Sequence, residues 1–86
     1  MTIYHLGEVG DVVKQGNVYF VVVFAFRENP LITLINPLTN QVSKISSEDL
    51  QYTGTTLDSF HEGGSLFIKT AKGYLINVTN QCVVNG

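Results

Sequence analysis

Charge is what this sequence has least of. Charged residues make up 14% of the 86-residue chain, whereas about a quarter is typical of globular domains. Hydrophobic residues make up 44%, so few charges remain to coat the surface, and we expect some apolar area to be buried against another subunit or a partner. The net charge of −2 argues against a protein that grips a long nucleic acid, because such proteins present a basic face to the phosphates.

Cysteine is nearly absent too. Cys82 is the single cysteine, so the chain cannot form an internal disulfide, and a reducing compartment is expected. Because Cys82 lies in an apolar stretch, a buried, inert thiol is favoured over a reactive one. The two histidines, His5 and His61, do not match the ligand spacing of a zinc site. We therefore expect neither a metal nor another cofactor.

Long apolar runs and a secretion signal are also missing. The first residues, MTIYHLGEVG, lack the basic start and apolar centre of a signal peptide. The longest apolar run, residues 18–26, has nine members, whereas a spanning helix needs about 20. We expect a cytoplasmic protein without a membrane partner.

The stretch at residues 17–36, NVYFVVVFAFRENPLITLIN, dominates what is present. Its first apolar run is mostly β-branched or aromatic, which favours a strand over a helix. Nine residues would make a strand of about 30 Å, so a bulge or strong bend is expected. Both faces are apolar and both need cover, one from the strand's own barrel and the other from the C-terminal third or from another subunit. Pro30 breaks the run before residues 31–35 resume as a strand, which predicts a hairpin.

The rest of the chain predicts further strands in one domain, residues 1–86. We expect a short strand at 2–6, a turn at 36–40, an alternating strand at 41–45, a helical or 3₁₀ turn at 46–50 and a short strand at 51–53. The polar, glycine-rich residues 54–64 predict a surface loop. Residues 65–76 predict a hairpin that turns at 71–73, and residues 81–84 predict a last strand.

This order of elements resembles the SH3-like small barrel, which includes KOW and Tudor-type modules. The resemblance covers about residues 8–53 and rests on GDVV at 10–13, Gly16, YFVV at 19–22, ITLI at 32–35 and SEDL at 47–50. It implies an all-β fold, a small SH3-like barrel to which the C-terminal β-hairpin is an extension. The aromatic cage and acidic loop of peptide-reading SH3 domains are lacking, so the resemblance implies no binding residues here.

Catalytic motifs are missing as well. No serine lies in a nucleophile elbow and no glycine-rich loop opens a helix, so we do not expect an enzyme. His61, next to Glu62 in the predicted loop, is a candidate binding residue because loops often carry function.

Three basic residues are the other candidates for binding. Arg27, the sole arginine, forms either a solvated turn ion pair with Glu28 or a forked donor for a phosphate or carboxylate. Lys69 and Lys72 flank the predicted hairpin turn near Tyr74 and Phe67. They are either edge lysines that discourage aggregation, or part of a basic and aromatic rim that holds a nucleotide by stacking and charge.

In size and style the chain also resembles the accessory, anti-defence proteins of large bacteriophages. That resemblance implies a binding protein in the host cytoplasm, and one branch of such proteins forms oligomers that sequester cyclic nucleotide signals of host immunity. A homo-oligomer would repeat one or two basic residues around its axis and so hold several phosphates. The alternatives are a protein–protein interaction or inhibitor module, and a KOW-like module that contacts nucleic acid.

Overall fold

The computed structural model describes residues 8–25 and 28–85. These residues form nine strands and one 3₁₀ turn. The strands are β1 (Asp11–Gln15), β2 (Val18–Ala25), β3 (Leu31–Asn36), β4 (Gln41–Ser46), β5 (Gln51–Thr56), β6 (Ser59–Glu62), β7 (Ser65–Lys69), β8 (Leu75–Asn77) and β9 (Cys82–Asn85), and the turn η1 (Ser47–Asp49) lies between β4 and β5. The strand predicted at residues 2–6 lies outside the described residues.

The strands form two antiparallel sheets. Sheet A has the order β4-β3-β2-β1-β5 and sheet B the order β6-β7-β8-β9. The predicted all-β fold is confirmed, as are the hairpin of β7 with β8 and a last strand, β9. In sheet A the 3₁₀ turn precedes β5, and β5 lies beside β1. Membership of the SH3-like family stays a prediction.

The stretch that dominates the sequence forms the predicted hairpin of β2 with β3. The ladder between these strands shifts register between Val22 and Phe24, so the expected bulge is present. The predicted turn at residues 36–40 is also confirmed. The side-chain oxygen of Asn36 accepts a hydrogen bond from the Leu38 amide at 2.9 Å, and Asn40 takes the left-handed conformation with φ of 61°.

The two faces of β2 and β3 bury their side chains in two different cores. The inner core lies on one face of sheet A and consists of Val13, Phe20, Val22, Ile32, Leu34 and Leu50. Sheet B packs on the opposite face, so sheet A must curve around the inner core to cover it. Leu50, which follows η1, lies in this core and so anchors the link from β4 to β5.

The second core lies between the two sheets. Val21, Val23 and Ile35 of sheet A meet Ile68, Ile76 and Val78 of the C-terminal segment there. Alternate residues of β2 therefore enter alternate cores, as the pleat of a strand requires. The second face of β2 was expected to be covered either by the C-terminal third or by another subunit, and the C-terminal third covers it. The faces of residues 20–23 are thus buried within one chain, and any oligomer has to use another surface.

The predicted loop at residues 54–64 was wrong. β5 continues to Thr56, β6 occupies residues 59–62, and only Gly63 and Gly64 form the turn into β7. Every residue of β5 and β6 is exposed, because both strands lie at sheet edges. A strand exposed on both faces carries no apolar alternation, so the pattern that identifies buried strands is missing here.

Gly10 makes room for residue 57, in the link between β5 of sheet A and β6 of sheet B. Its amide donates to the Val22 carbonyl and its carbonyl accepts from the Leu57 amide, both at 2.9 Å. Its φ is +99°, and a Cβ at this position would lie 2.4 Å from the Leu57 carbonyl oxygen. Only glycine satisfies both the conformation and the close approach of the two backbones.

Truncation of the inter-sheet core should destabilise the whole chain. Ile76 is fully buried, whereas Val84, one strand away, is 54% exposed. We expect Ile76→Ala to lower the free energy of unfolding by about 2–5 kcal/mol and Val84→Ala to change it little. Urea titration followed by circular dichroism measures both. Since the two sheets share this core, each variant should unfold in one transition; separate unfolding of sheet B would contradict the shared core.

Replacement of Gly10 should be costly for a steric reason. Gly63 provides a matched control, because its φ is +59° but a Cβ there has open space around it. We expect Gly63→Ala to cost about 1–2 kcal/mol, the penalty of a left-handed conformation, and Gly10→Ala to cost clearly more. If both variants lose the same free energy of unfolding, in thermal or urea unfolding, the close approach to Leu57 does not contribute to the cost.

Candidate binding surfaces

The structure brings three of the five predicted binding residues to one end of sheet B. Lys69 ends β7, Lys72 lies in the following turn, and Tyr74 directly precedes β8. Both lysines are exposed and Tyr74 is half-buried. His61 lies elsewhere, in β6, and Arg27 lies outside the described residues.

The turn between β7 and β8 is held by its own hydrogen bonds. The backbones of Thr70 and Tyr74 are joined by a bond of 2.9 Å from the Thr70 amide to the Tyr74 carbonyl, and the Gly73 amide donates to the Thr70 carbonyl at 2.9 Å. The Tyr74 amide donates to the Thr70 hydroxyl at 3.0 Å. These bonds close residues 70–74 into a tight loop, which keeps Lys72 near the end of β7.

A phenylalanine pair lies on the same face of sheet B as Lys69. Phe60 and Phe67 face each other across β6 and β7, and their rings stack with centroids 5.6 Å apart at an angle of 24°. Ile68 points into the inter-sheet core, so Phe67 and Lys69 both lie on the outer face of sheet B by strand alternation. Phe60 is 40% exposed. The outer face thus presents an accessible aromatic ring and a cation on the neighbouring strand.

Tyr74 and His61 do not share this surface. Tyr74 directly precedes Leu75, the partner of Lys69, so alternation directs Tyr74 to the opposite face of the sheet. His61 pairs with Leu66, which packs at the inter-sheet core, so His61 is also on the opposite face from Lys69. The sequence prediction named Lys69 and Lys72 with Tyr74 and Phe67 as the aromatic residues, and it did not name Phe60. A signal for Phe60 would have required recognition of β6 as a strand.

A buried carboxylate, which the sequence analysis passed over, starts β1. Asp11 is 2% exposed, and its Oδ1 accepts a hydrogen bond of 2.7 Å from the Thr56 hydroxyl. Because Thr56 donates to Asp11, the 2.7 Å contact between the Thr56 and Tyr52 hydroxyls is donated by Tyr52. The other carboxylate oxygen accepts from the Glu8 amide at 3.3 Å. A chain of two hydroxyls therefore links the buried carboxylate to an exposed tyrosine.

This network fits a structural role. It joins β1 to β5 next to the register shift in their ladder between Val12 and Val13, where the Thr53 hydroxyl also donates to the Val12 carbonyl at 2.7 Å. The hydroxyls compensate for backbone bonds that the irregular ladder lacks. Asp11 and its partners thus hold the last strand of sheet A in place.

Among the described residues, no group of three or more His, Cys, Asp and Glu side chains could hold a metal ion. Cys82 is half-buried rather than buried. The described part of the chain also contains no helix with the length and apolarity needed to cross a membrane.

Comparisons with protein-family models, with curated proteins and with solved structures found no match to this chain. We therefore infer the function of the chain from its surfaces.

Removal of the Thr56 hydroxyl should test the carboxylate network. Thr56→Val leaves Oδ1 of Asp11 without its hydroxyl donor in a buried site, and we expect the free energy of unfolding to fall by about 1–3 kcal/mol. Thr55→Val is the matched control, since Thr55 is the exposed neighbour in the same strand. Urea unfolding of both variants measures the difference. Similar stability of the two would mean that the network does not hold β5.

Proposed function

We propose that this chain is a non-enzymatic binding protein that holds a small nucleotide on the outer face of sheet B. The observation that carries the proposal is the exposed Phe60 ring, stacked on Phe67, with Lys69 on the same face. A base can stack on the free side of an aromatic ring, and such stacking contributes about 1–3 kcal/mol per base. A lysine attracts a phosphate as a point charge.

The distribution of the cations supports a small ligand rather than a long nucleic acid. Lys14 lies in β1 and Lys44 in β4, both in sheet A, whereas Lys69 and Lys72 lie at one end of sheet B. Two lysines at one turn suit one or two phosphates. A KOW-like contact with a long backbone would call for a continuous basic face, which the net charge of −2 also disfavours.

The resemblance to phage accessory proteins extends this proposal to the identity of the ligand. It makes cyclic di- and trinucleotides the first compounds to test, with host immune signals as the class that would be sequestered. A planar base and closely spaced phosphates are the two features that the outer face of sheet B would engage.

A protein-interaction module is the second candidate. It is favoured by the number of large apolar side chains that are at least 39% exposed, since such patches mark interaction sites. They are Val18, Tyr19, Phe24, Leu31, Leu38, Val42, Tyr52, Phe60 and Val84. These residues are spread over both sheets, whereas the nucleotide proposal rests on one defined surface, so we place it first.

Thermal melting against a nucleotide panel tests the proposal. A ligand at about 100 times its Kd stabilises the folded chain by about 2.7 kcal/mol, which for a domain of this size raises Tm by roughly 10 °C or more. We expect one nucleotide to produce such a shift, and Phe60→Leu and Lys69→Gln each to reduce it.

The chain offers matched controls for both variants. Tyr19→Leu removes an exposed aromatic ring from sheet A, and Lys44→Gln removes an exposed cation from β4. Both should retain the shift in Tm. If no nucleotide raises Tm, the nucleotide proposal fails and the protein-interaction module becomes the working function. If the controls lose the shift as fully as Phe60→Leu and Lys69→Gln do, the ligand binds elsewhere.

A further inference from the structure

Within residues 8–25 and 28–85, the two sheets end in four edge strands, and three of these carry a feature that blocks strand addition. β4 has Lys44 in its middle, and an edge lysine discourages pairing with another chain. β5 has a register irregularity in its ladder with β1, and such bulges turn an edge away from a partner. On β9, the Val83 amide already donates to the side-chain oxygen of Asn40 at 2.8 Å.

β6 is the edge that lacks these features. Its four residues pair with β7 without a register shift, all four are exposed, and none is lysine or proline. Phe60, 40% exposed, lies within this edge strand. Its ring stacks on Phe67, which lies opposite it in the β6–β7 ladder.

We propose that β6 pairs with β6 of a second copy of this chain, antiparallel about a two-fold axis perpendicular to sheet B. Such an axis keeps the outer faces of both copies on the same side of an eight-stranded sheet, made of two four-stranded sheets. In this arrangement Phe60 of one copy lies directly opposite Phe60 of the second copy, and both side chains are on the outer face of the combined sheet.

This register extends the aromatic row across the interface. The two Phe60 rings stand on adjacent strands, about 5 Å apart at their Cβ atoms, so four phenylalanine rings form one row from Phe67 through both Phe60 residues to the second Phe67. Cross-strand aromatic pairs stabilise a sheet beyond the area they bury. No other class of partner supplies this match by symmetry alone, and therefore a second copy is the occupant that the edge fits.

The same register has one unfavourable feature, which makes it testable. Glu62 falls opposite Asp58 of the second copy, and like charges directly opposed weaken strand pairing. Lys69 offsets part of this repulsion, because continuation of the β6–β7 register beyond Ser59 and Ile68 places Lys69 beside Asp58. In this register only Ser59, Phe60 and His61 of β6 face β6 of the second copy, so the dimer is weak and concentration-dependent.

Light scattering and sedimentation of the chain without nucleotide, from micromolar to millimolar concentration, measure the dimer. Phe60→Lys removes the aromatic contact and opposes two cations, so it should abolish the dimer, whereas Tyr19→Lys, an equal change at an exposed aromatic residue of sheet A, should leave it intact. Circular dichroism checks that both variants are folded.

Glu62→Gln provides a gain that unfolding cannot mimic. Relief of two like-charge contacts should tighten Kd by about 2- to 30-fold, and Glu48→Gln, at an exposed acid of η1, should not change it. A monomeric mass at every concentration would overturn the proposal. So would a dimer that Phe60→Lys and Glu62→Gln leave at the strength of their controls. In the dimer, Phe60 of the second copy occupies the side of the ring on which a base would stack, so the dimer and a nucleotide compete for Phe60. The dimer is therefore measured without nucleotide, and the absence of the dimer would leave the nucleotide proposal standing.

Discussion

The burial of both faces of β2 is the constraint on which the rest of the structure depends. Phe20 and Val22 need one apolar environment, and Val21 and Val23 need another. Sheet A supplies the first by curving on itself, and sheet B supplies the second by packing on its back. Neither sheet could remain folded with its apolar face in water, so the two halves of this small chain depend on the same strand.

Polar contacts fix the ends of sheet A, and one of them reaches sheet B. Near the start of β1, the Gly10 backbone is hydrogen-bonded to β2 on one side and to Leu57 on the other. Asp11 binds Thr56 at the end of β5. At the opposite hairpin, the side chain of Asn40 receives the Val83 amide of β9. These contacts add direction to an apolar interface that by itself has little.

The proposed function and the proposed dimer both rest on the face and edge of sheet B that point away from sheet A. Because Leu66 and Ile68 turn toward the inter-sheet core, Phe67 and Lys69 turn outward, and the pairing of β6 with β7 brings Phe60 beside them. The same strand places Phe60 at a free edge. A surface for stacking and an edge for pairing thus arise from one hairpin, in a part of the chain whose sequence shows no motif.

The sequence alone determined the strands that have an apolar side. Patterns of apolar residues identified β2, β4, β7 and β8, from the run at 18–26, the alternation at 41–45 and the hairpin at 65–76. A strand that buries a face carries apolar residues at regular positions, and this pattern can be read from the sequence. The turn chemistry at Asn36 and Asn40 was also readable. Lys69 and Lys72 could be named as candidates, since hairpin turns bring flanking residues together.

Only the tertiary structure decided what happens where that period is absent. The extension of β5 and the whole of β6 are exposed, so their strand conformation comes from pairing with β1 and β7 rather than from their own pattern. The burial of Asp11 likewise depends on Thr56, a residue 45 positions away. Phe60 was missed for the same reason: it reaches Phe67 through a strand pairing, and contacts across a sheet leave no local signal in the chain.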